Sequence, residues 1–205
     1  MDVKNVEAGI NGYMEKLCET LKRLDKKPLS LMVEAVLQAQ QDGKKIITMG
    51  NGGHANTAAH MINDLAKHTV SSDSKDSVVS EQRFKTMCLN DSVSFLTGIG
   101  NDMGYQHVFS EQLKNWCDPG DVVIGISGSG NSANILEAFK TAKARGAKTI
   151  ALSGKDGGRI KDIADICIIV PSDKMVQIED VHLAVNHAVA DELKKLIQHR
   201  TDLAG

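Results

Sequence analysis

Residues 121–132 read Asp-Val-Val-Ile-Gly-Ile-Ser-Gly-Ser-Gly-Asn-Ser. The short apolar run Val122–Ile126 has the length of a buried strand. Small residues end it, and a helical pattern over Ser132–Arg145 follows at once. The same texture recurs at Lys45–Gly50, Phe84–Leu89, Lys148–Ser153 and Asp165–Val170. Helical patterns at Ala55–His68, Tyr105–Trp116 and Ser132–Arg145 separate most of these runs. Nearly continuous apolar strands alternating with helices predict a parallel sheet covered on both faces. Five of them predict an α/β three-layer sandwich with a five-stranded, doubly wound, flavodoxin-like sheet. A last helix over Ile178–Gln198 closes the chain.

Ahead of the first strand, residues 1–43 read as helix. Leu17, Leu21 and Leu24 fall at helical spacing, as do Leu31, Ala35 and Gln38–Ala39. Pro28 suits the first turn of a second helix, and Gly43 is a natural stop. This segment is expected to pack on the core or on another subunit. The serine-rich stretch Thr69–Gln82 reads as a surface loop or a lid over a site.

The chain has 205 residues, which favours one domain over residues 1–205, long enough to bury a core without disulfides. With 24 basic and 26 acidic residues the formal net charge is −2, which argues against a general nucleic-acid or acidic-membrane binder. No apolar run approaches the ~20 residues needed to span a bilayer. The N-terminus lacks an apolar signal core, so a cytoplasmic location is expected. Cys18, Cys88, Cys117 and Cys167 show no C-x-x-C spacing and read as structural thiols.

Three constellations carry chemistry. In Ser127-Gly-Ser-Gly-Asn-Ser132, Gly128 and Gly130 allow close backbone approach. Free N–H groups at a helix start favour an anion, and Ser127, Ser129 and Ser132 add hydroxyls. The loop suits a phosphate monoester; it lacks the lysine of a P-loop and the spacing of a dinucleotide site. Gly50-Asn-Gly-Gly-His54 repeats the arrangement at the same sheet edge, where Asn51 could bind sugar hydroxyls and His54 could touch ligand or merely open a helix. His60 and Asp64 share one helix face and could bind a divalent metal. The last helix offers Glu179, His182, His187 and Asp191. Glu179 and His187 are eight apart, about 12 Å of rise, so one metal would strain to hold both, while His187 with Asp191 is the simpler local pair. In Gly98–Gly104, a polar glycine-rich turn, Asn101 and Asp102 could hold sugar hydroxyls or cap a helix.

Taken in order, GNGGHANTAAH (50–60), LTGIGNDMGY (96–105), GDVVIGISGSGNSANILEAF (120–139), ALSGKDGG (151–158) and QIEDVHLAVNH (177–187) resemble the phosphoheptose isomerases of the sugar-isomerase (SIS) superfamily. The resemblance spans about residues 1–198. It implies a cytoplasmic homotetramer with sites between subunits, converting sedoheptulose 7-phosphate to a D-glycero-D-manno-heptose 7-phosphate, with a zinc ion. By position, Asn51, Gly52, Gly53, Asn101 and Asp102 would contact the sugar, with His54 and Glu179 beside them. Ser127, Gly128, Ser129 and Ser132 would hold the phosphate. His60, Asp64, Glu179 and His187 would be the metal set, with Asp64 and His187 also the acid and base.

The chain departs from the family pattern at four of these positions. The family usually has Ser at 54, Glu at 64, Thr at 128 and Gln at 179, where this sequence has His54, Asp64, Gly128 and Glu179. A reaction centre altered beside a kept phosphate loop fits an isomerase for this or another sugar phosphate. It also fits a binding module without catalysis, acting on a phosphosugar or a partner protein.

Overall fold

The computed structural model describes residues 3–69 and 82–204. Residues 70–81, most of the stretch read as a loop or lid, lie outside the described residues. Helices α1 (Val3–Arg23) and α2 (Lys27–Gln41) lead into strand β1 (Lys45–Gly50). Pro28 sits in the first turn of α2, and Gly43, at φ +65°, turns the chain out of it. Helix α3 (Gly53–Asn63) follows and widens into one π-helical turn, Asp64–His68. Then come β2 (Lys85–Cys88), α4 (Val93–Asp102), α5 (Ser110–Trp116), β3 (Val122–Ser127), α6 (Ala133–Ala144), β4 (Lys148–Gly154), β5 (Ile166–Val170) and α7 (Met175–Ala204).

All five strands are parallel, in the order β2-β1-β3-β4-β5. This is the flavodoxin-like winding expected from the sequence. In β1 and β3 successive side chains enter different halves of the core. Ile46, Ile124 and Ile126 join residues of α2, α3 and α7, among them Val36, Met61 and Val185. Ile47, Met49 and Val123 instead meet Phe109, Leu113, Ile135 and Phe139 of the opposite layer. Both faces are therefore apolar, which is why the strands read as runs rather than alternations. No helix among the described residues is long and apolar enough to cross a membrane.

Two local expectations change. The stretch 98–104 is not a free turn: residues up to Asp102 belong to α4, and only Met103 and Gly104 break the chain. Leu96 and Ile99 give α4 an apolar side that packs on the core, and this outweighs the glycines. The pattern over Tyr105–Trp116 splits into a 3₁₀ turn at Tyr105–His107 and the helix α5. The cysteines form no disulfide; burial raises the thiol pKa of Cys88, and pushes those of Cys117 and Cys167 up to about 11.

Gly125, in the middle of β3, is the point of closest helix approach. A Cβ there would stand 2.5 Å from Phe139 Cε1 and 2.9 Å from Ile135 Cγ2. Gly125→Ala is expected to destabilise the fold by about 1–3 kcal/mol through overpacking. Denaturant unfolding reads this, and Phe139→Leu in the same chain is expected to restore part of the loss.

Candidate active site

The winding reverses between β1 and β3, so the loops leaving these strands diverge and open a crevice. Two side-chain amides bridge it. Asn51 Nδ2 donates to Asn134 Oδ1 at 2.9 Å, and Asn134 Nδ2 donates to Asn51 Oδ1 at 2.8 Å. Tyr105 adds its hydroxyl to Asn51 Oδ1 at 3.0 Å, bringing the end of α4 to the same place. Asn90 clamps the end of β1 by bonding both N–H and C=O of Gly50, at 3.1 and 2.9 Å. Asn134, Asn90 and Tyr105 were missed in the sequence. An isolated Asn or Tyr carries no spacing signal, and the bonds that bring these three to the crevice go to partners 40 or more positions away.

The serine turn forms as expected. Ser127 Oγ donates to Ser132 Oγ at 3.0 Å, and Ser129 Oγ accepts from Asn131 N at 3.2 Å. Gly130 is required twice over. Its φ is +64°, and a Cβ would lie 2.0 Å from the carbonyl oxygen of Gly157. The next loop packs that tightly because Ile160 N donates to Gly130 O at 3.0 Å.

Gly128 and His54 explain each other. A Cβ at 128 would stand 2.5 Å from Met175 Sδ and 3.0 Å from His54 Cε1. The larger side chain at 54 occupies the space that a side chain at 128 would need. His54 is 6% exposed and its Nε2 has no hydrogen-bond partner. Burial lowers its pKa, opposed by the Glu179 carboxylate.

Beneath it lies His182, fully buried, its ring 5.1 Å from that of His54. Its Nε2 is 3.0 Å from Ser153 O; a carbonyl only accepts, so Nε2 carries the proton and the imidazole is neutral. Burial, with His54 adding to it, pushes its pKa down to about 3. His182 therefore anchors α7 to β4.

Further along α3 and α7 the second constellation assembles. His60 Nε2 lies 3.3 Å from Asp64 Oδ2 and 3.3 Å from His187 Nε2; His187 Nε2 lies 3.8 Å from Asp64 Oδ2. Two imidazole nitrogens and a carboxylate oxygen face one point, all within 4.8 Å of one another. Ligands about 2.0–2.1 Å from a tetrahedral zinc stand ~3.3 Å apart, so this spacing fits one divalent ion. Asn186 Nδ2 donates to Asp64 Oδ2 at 2.8 Å and fixes the carboxylate from behind.

Glu179, expected as a fourth ligand, stands outside this group. Its carboxylate lies against Gly53, 2.8 Å from where a Cβ would be. The reason is the helical rise: α3 and α7 run side by side, Gly53 facing Glu179 and His60 facing His187. The eight-residue separation leaves Glu179 near the serine turn. Asp191 does not pair with His187 either; it binds Lys195 at 2.7 Å. Asn101 and Asp102 are exposed and bonded to each other at 2.8 Å.

Known proteins match both the sequence and the fold. The model of the SIS domain family matches residues 11–154. The phosphoheptose isomerase of Geotalea daltonii is 33% identical over 94% of this chain and 96% of its own length. That of Nitratiruptor sp. is 42% identical over 74% of this chain and 76% of its own. The chain belongs to the phosphoheptose isomerase family of SIS domains. The structure of phosphoheptose isomerase GmhA from Neisseria gonorrhoeae superposes with a TM-score of 0.83 at 31% identity, covering 95% of this chain and all, 100%, of that one. A phosphoheptose isomerase from Francisella tularensis shares the fold with the same TM-score, 0.83, at 24% identity, over 95% of this chain and 99% of the other.

Two outcomes follow from this geometry. Gly128→Thr alone is expected to cost about 1–3 kcal/mol of stability, and less when combined with His54→Ser; a double-mutant cycle by chemical denaturation measures the coupling. His182 binds no proton in the native state until about pH 3, whereas the unfolded chain takes one up near 6.5. Its contribution is therefore lost as pH falls below ~6.5, at up to ~1.4 kcal/mol per pH unit. His182→Asn is expected to flatten the stability–pH curve between pH 6.5 and 5, and an unchanged slope would refute the buried neutral imidazole.

Proposed function

We propose that the protein is a phosphosugar aldose–ketose isomerase that converts sedoheptulose 7-phosphate to D-glycero-D-manno-heptose 7-phosphate in heptose biosynthesis. Residues 1–205 act as one SIS domain in this reading, and the cytoplasm is its place of work. The alignment along α3 carries the proposal. His54 touches the serine turn beside Gly128, and His60 and Asp64 follow six and ten residues later. At ~1.5 Å per residue these lie about 9 and 15 Å further on, the length scale of an extended sugar phosphate. An anion at the turn thus places the far end of a sugar beside the imidazoles and the carboxylate.

Ser127, Gly128, Ser129 and Ser132 take the phosphate through hydroxyl and backbone donors. Asn51, Gly52, Gly53, His54, Asn101, Asp102 and Glu179 face the sugar hydroxyls. Holding the tail fixes C1 and C2, so binding energy at one end lowers the entropic cost of reaction at the other. One of the Asp64–His187 pair removes the proton from C1 of the ketose. The electron pair closes a C1=C2 bond, and the C2 oxygen gains a proton from the other partner, giving an enediol. The O1 proton then leaves, C1=O forms, and C2 takes a proton to give the aldose. An imidazole beside a carboxylate can give and take a proton in turn, which suits this exchange. His60, Asp64 and His187 would hold a zinc ion, which when bound supplies Lewis acidity toward the carbonyl oxygen.

Assembly as a homotetramer with sites between subunits belongs to the same reading. Val3, Val6, Ile10 and Met14 line one side of α1 at helical spacing and are exposed in the single chain. A stripe of this kind calls for cover by other copies.

Turnover of sedoheptulose 7-phosphate in D₂O is expected to place deuterium on C1 or C2. His187→Ala is expected to lower that exchange at least ~10²-fold while phosphosugar affinity changes only severalfold. Chelation followed by added zinc is expected to remove and restore turnover. Tight binding with no label at either carbon would instead identify a binding module.

A further inference from the structure

A cavity of about 560 Å³ opens between the C-terminal half of α1 and the loops that follow β4 and β5. Four cations line it, Lys16, Arg23, Lys155 and Lys174, against two carboxylates, Glu19 and Asp173. Among the described residues none of the four forms a salt bridge. Like charges left unpaired around a concavity focus a positive potential into it. A second feature is independent of charge. Gln177, also lining the cavity, is 4% exposed. Its Oε1 accepts from Ser172 Oγ at 2.9 Å, but its Nε2 has no partner. Buried amide donors are rarely left so, because the loss of water must be repaid by some acceptor.

We propose that this cavity is a second binding site, for a small polyanion of the phosphorylated-polyol class. Lysine and arginine would hold the phosphate oxygens and Gln177 Nε2 would supply a directed donor. Glu19 and Asp173 would accept sugar hydroxyls. The lining contains no aromatic side chain on which a base could stack, which disfavours a nucleotide. The volume lies in the ~300–1,000 Å³ range of small-molecule sites. The cavity shares no lining residue with the serine turn or the His60–Asp64–His187 group. Gln177 and Glu179 are two positions apart on α7, about 200° around the helix, so they face opposite ways.

Inorganic pyrophosphate titrated calorimetrically into the Ser127→Ala/Ser132→Ala chain, whose serine turn has lost two hydroxyls, is expected to fill one site per chain. Lys16→Gln with Lys174→Gln in that background is expected to weaken it at least about tenfold, and Gln177→Leu severalfold. Glu19→Gln with Asp173→Asn, which removes repulsion, is expected to tighten it. Absence of saturable binding in the serine variant, or binding that survives the lysine changes, overturns the site. ADP binding tighter than fructose 1,6-bisphosphate overturns the assigned ligand class.

Discussion

The paired amides of Asn51 and Asn134 set the width of the crevice on which the rest of the site depends. They join the chain just past β1 to the first turn of α6, across the one place in the sheet where neighbouring strands connect in opposite directions. Each amide gives and takes one hydrogen bond, and Asn134 is buried, so neither can turn without leaving a polar atom unpaired. Asn134 Oδ1 also accepts from Ile135 N at 3.0 Å, which ties this pair to the start of the helix behind the serine turn. Two separately folded loops thereby become a single rigid cradle, the preorganisation that a fixed anion site needs.

From that cradle, α3 and α7 descend side by side and carry the remaining groups in pairs: His54 with His182, Gly53 with Glu179, His60 and Asp64 with His187. Different neighbours set these imidazoles apart. His182 is sealed and neutral, and holds the helices to the sheet. His60 and His187 are exposed and face a carboxylate. Depth below the surface, rather than residue type, decides which histidine is structural and which is available for chemistry.

The fold was legible because short apolar runs and helical spacing contrast sharply along the chain. Strands of four to seven residues, three of them ending in Gly or Ser, alternate with helical segments, the pattern of a parallel sheet covered on both faces. The serine turn was legible for the same reason: its spacing is local. What failed was what depends on contact at a distance. Asn101 and Asp102 looked like a turn because glycines flank them, yet packing of Leu96 and Ile99 keeps the segment helical. Glu179 is a metal ligand only in the set that the resemblance implies; its helical rise from His187 was already legible, and its carboxylate lies against Gly53. The exchange of bulk between positions 54 and 128 could not be read from either residue alone, since they lie 74 positions apart and meet only in three dimensions.

The two anion-compatible regions also differ in physical kind. The serine turn uses neutral donors, hydroxyls and backbone N–H groups. Arg159, which reaches it, directs Nε and Nη2 to Asn131 at 3.3 and 3.5 Å and so holds the loop instead of pointing at the crevice. Fixed neutral dipoles recognise shape and orientation at short range and are little affected by salt. The cavity lined by Lys16, Arg23, Lys155 and Lys174 works through net charge on flexible stems. Its pull extends over a Debye length, ~8 Å at physiological ionic strength, and fades as salt is added. A chain of formal charge −2 repels anions overall, so concentrating cations in one concavity recovers a local attraction that its average composition denies. The first arrangement suits a substrate that must be held in one pose for proton transfer, and the second suits a ligand that has only to be retained.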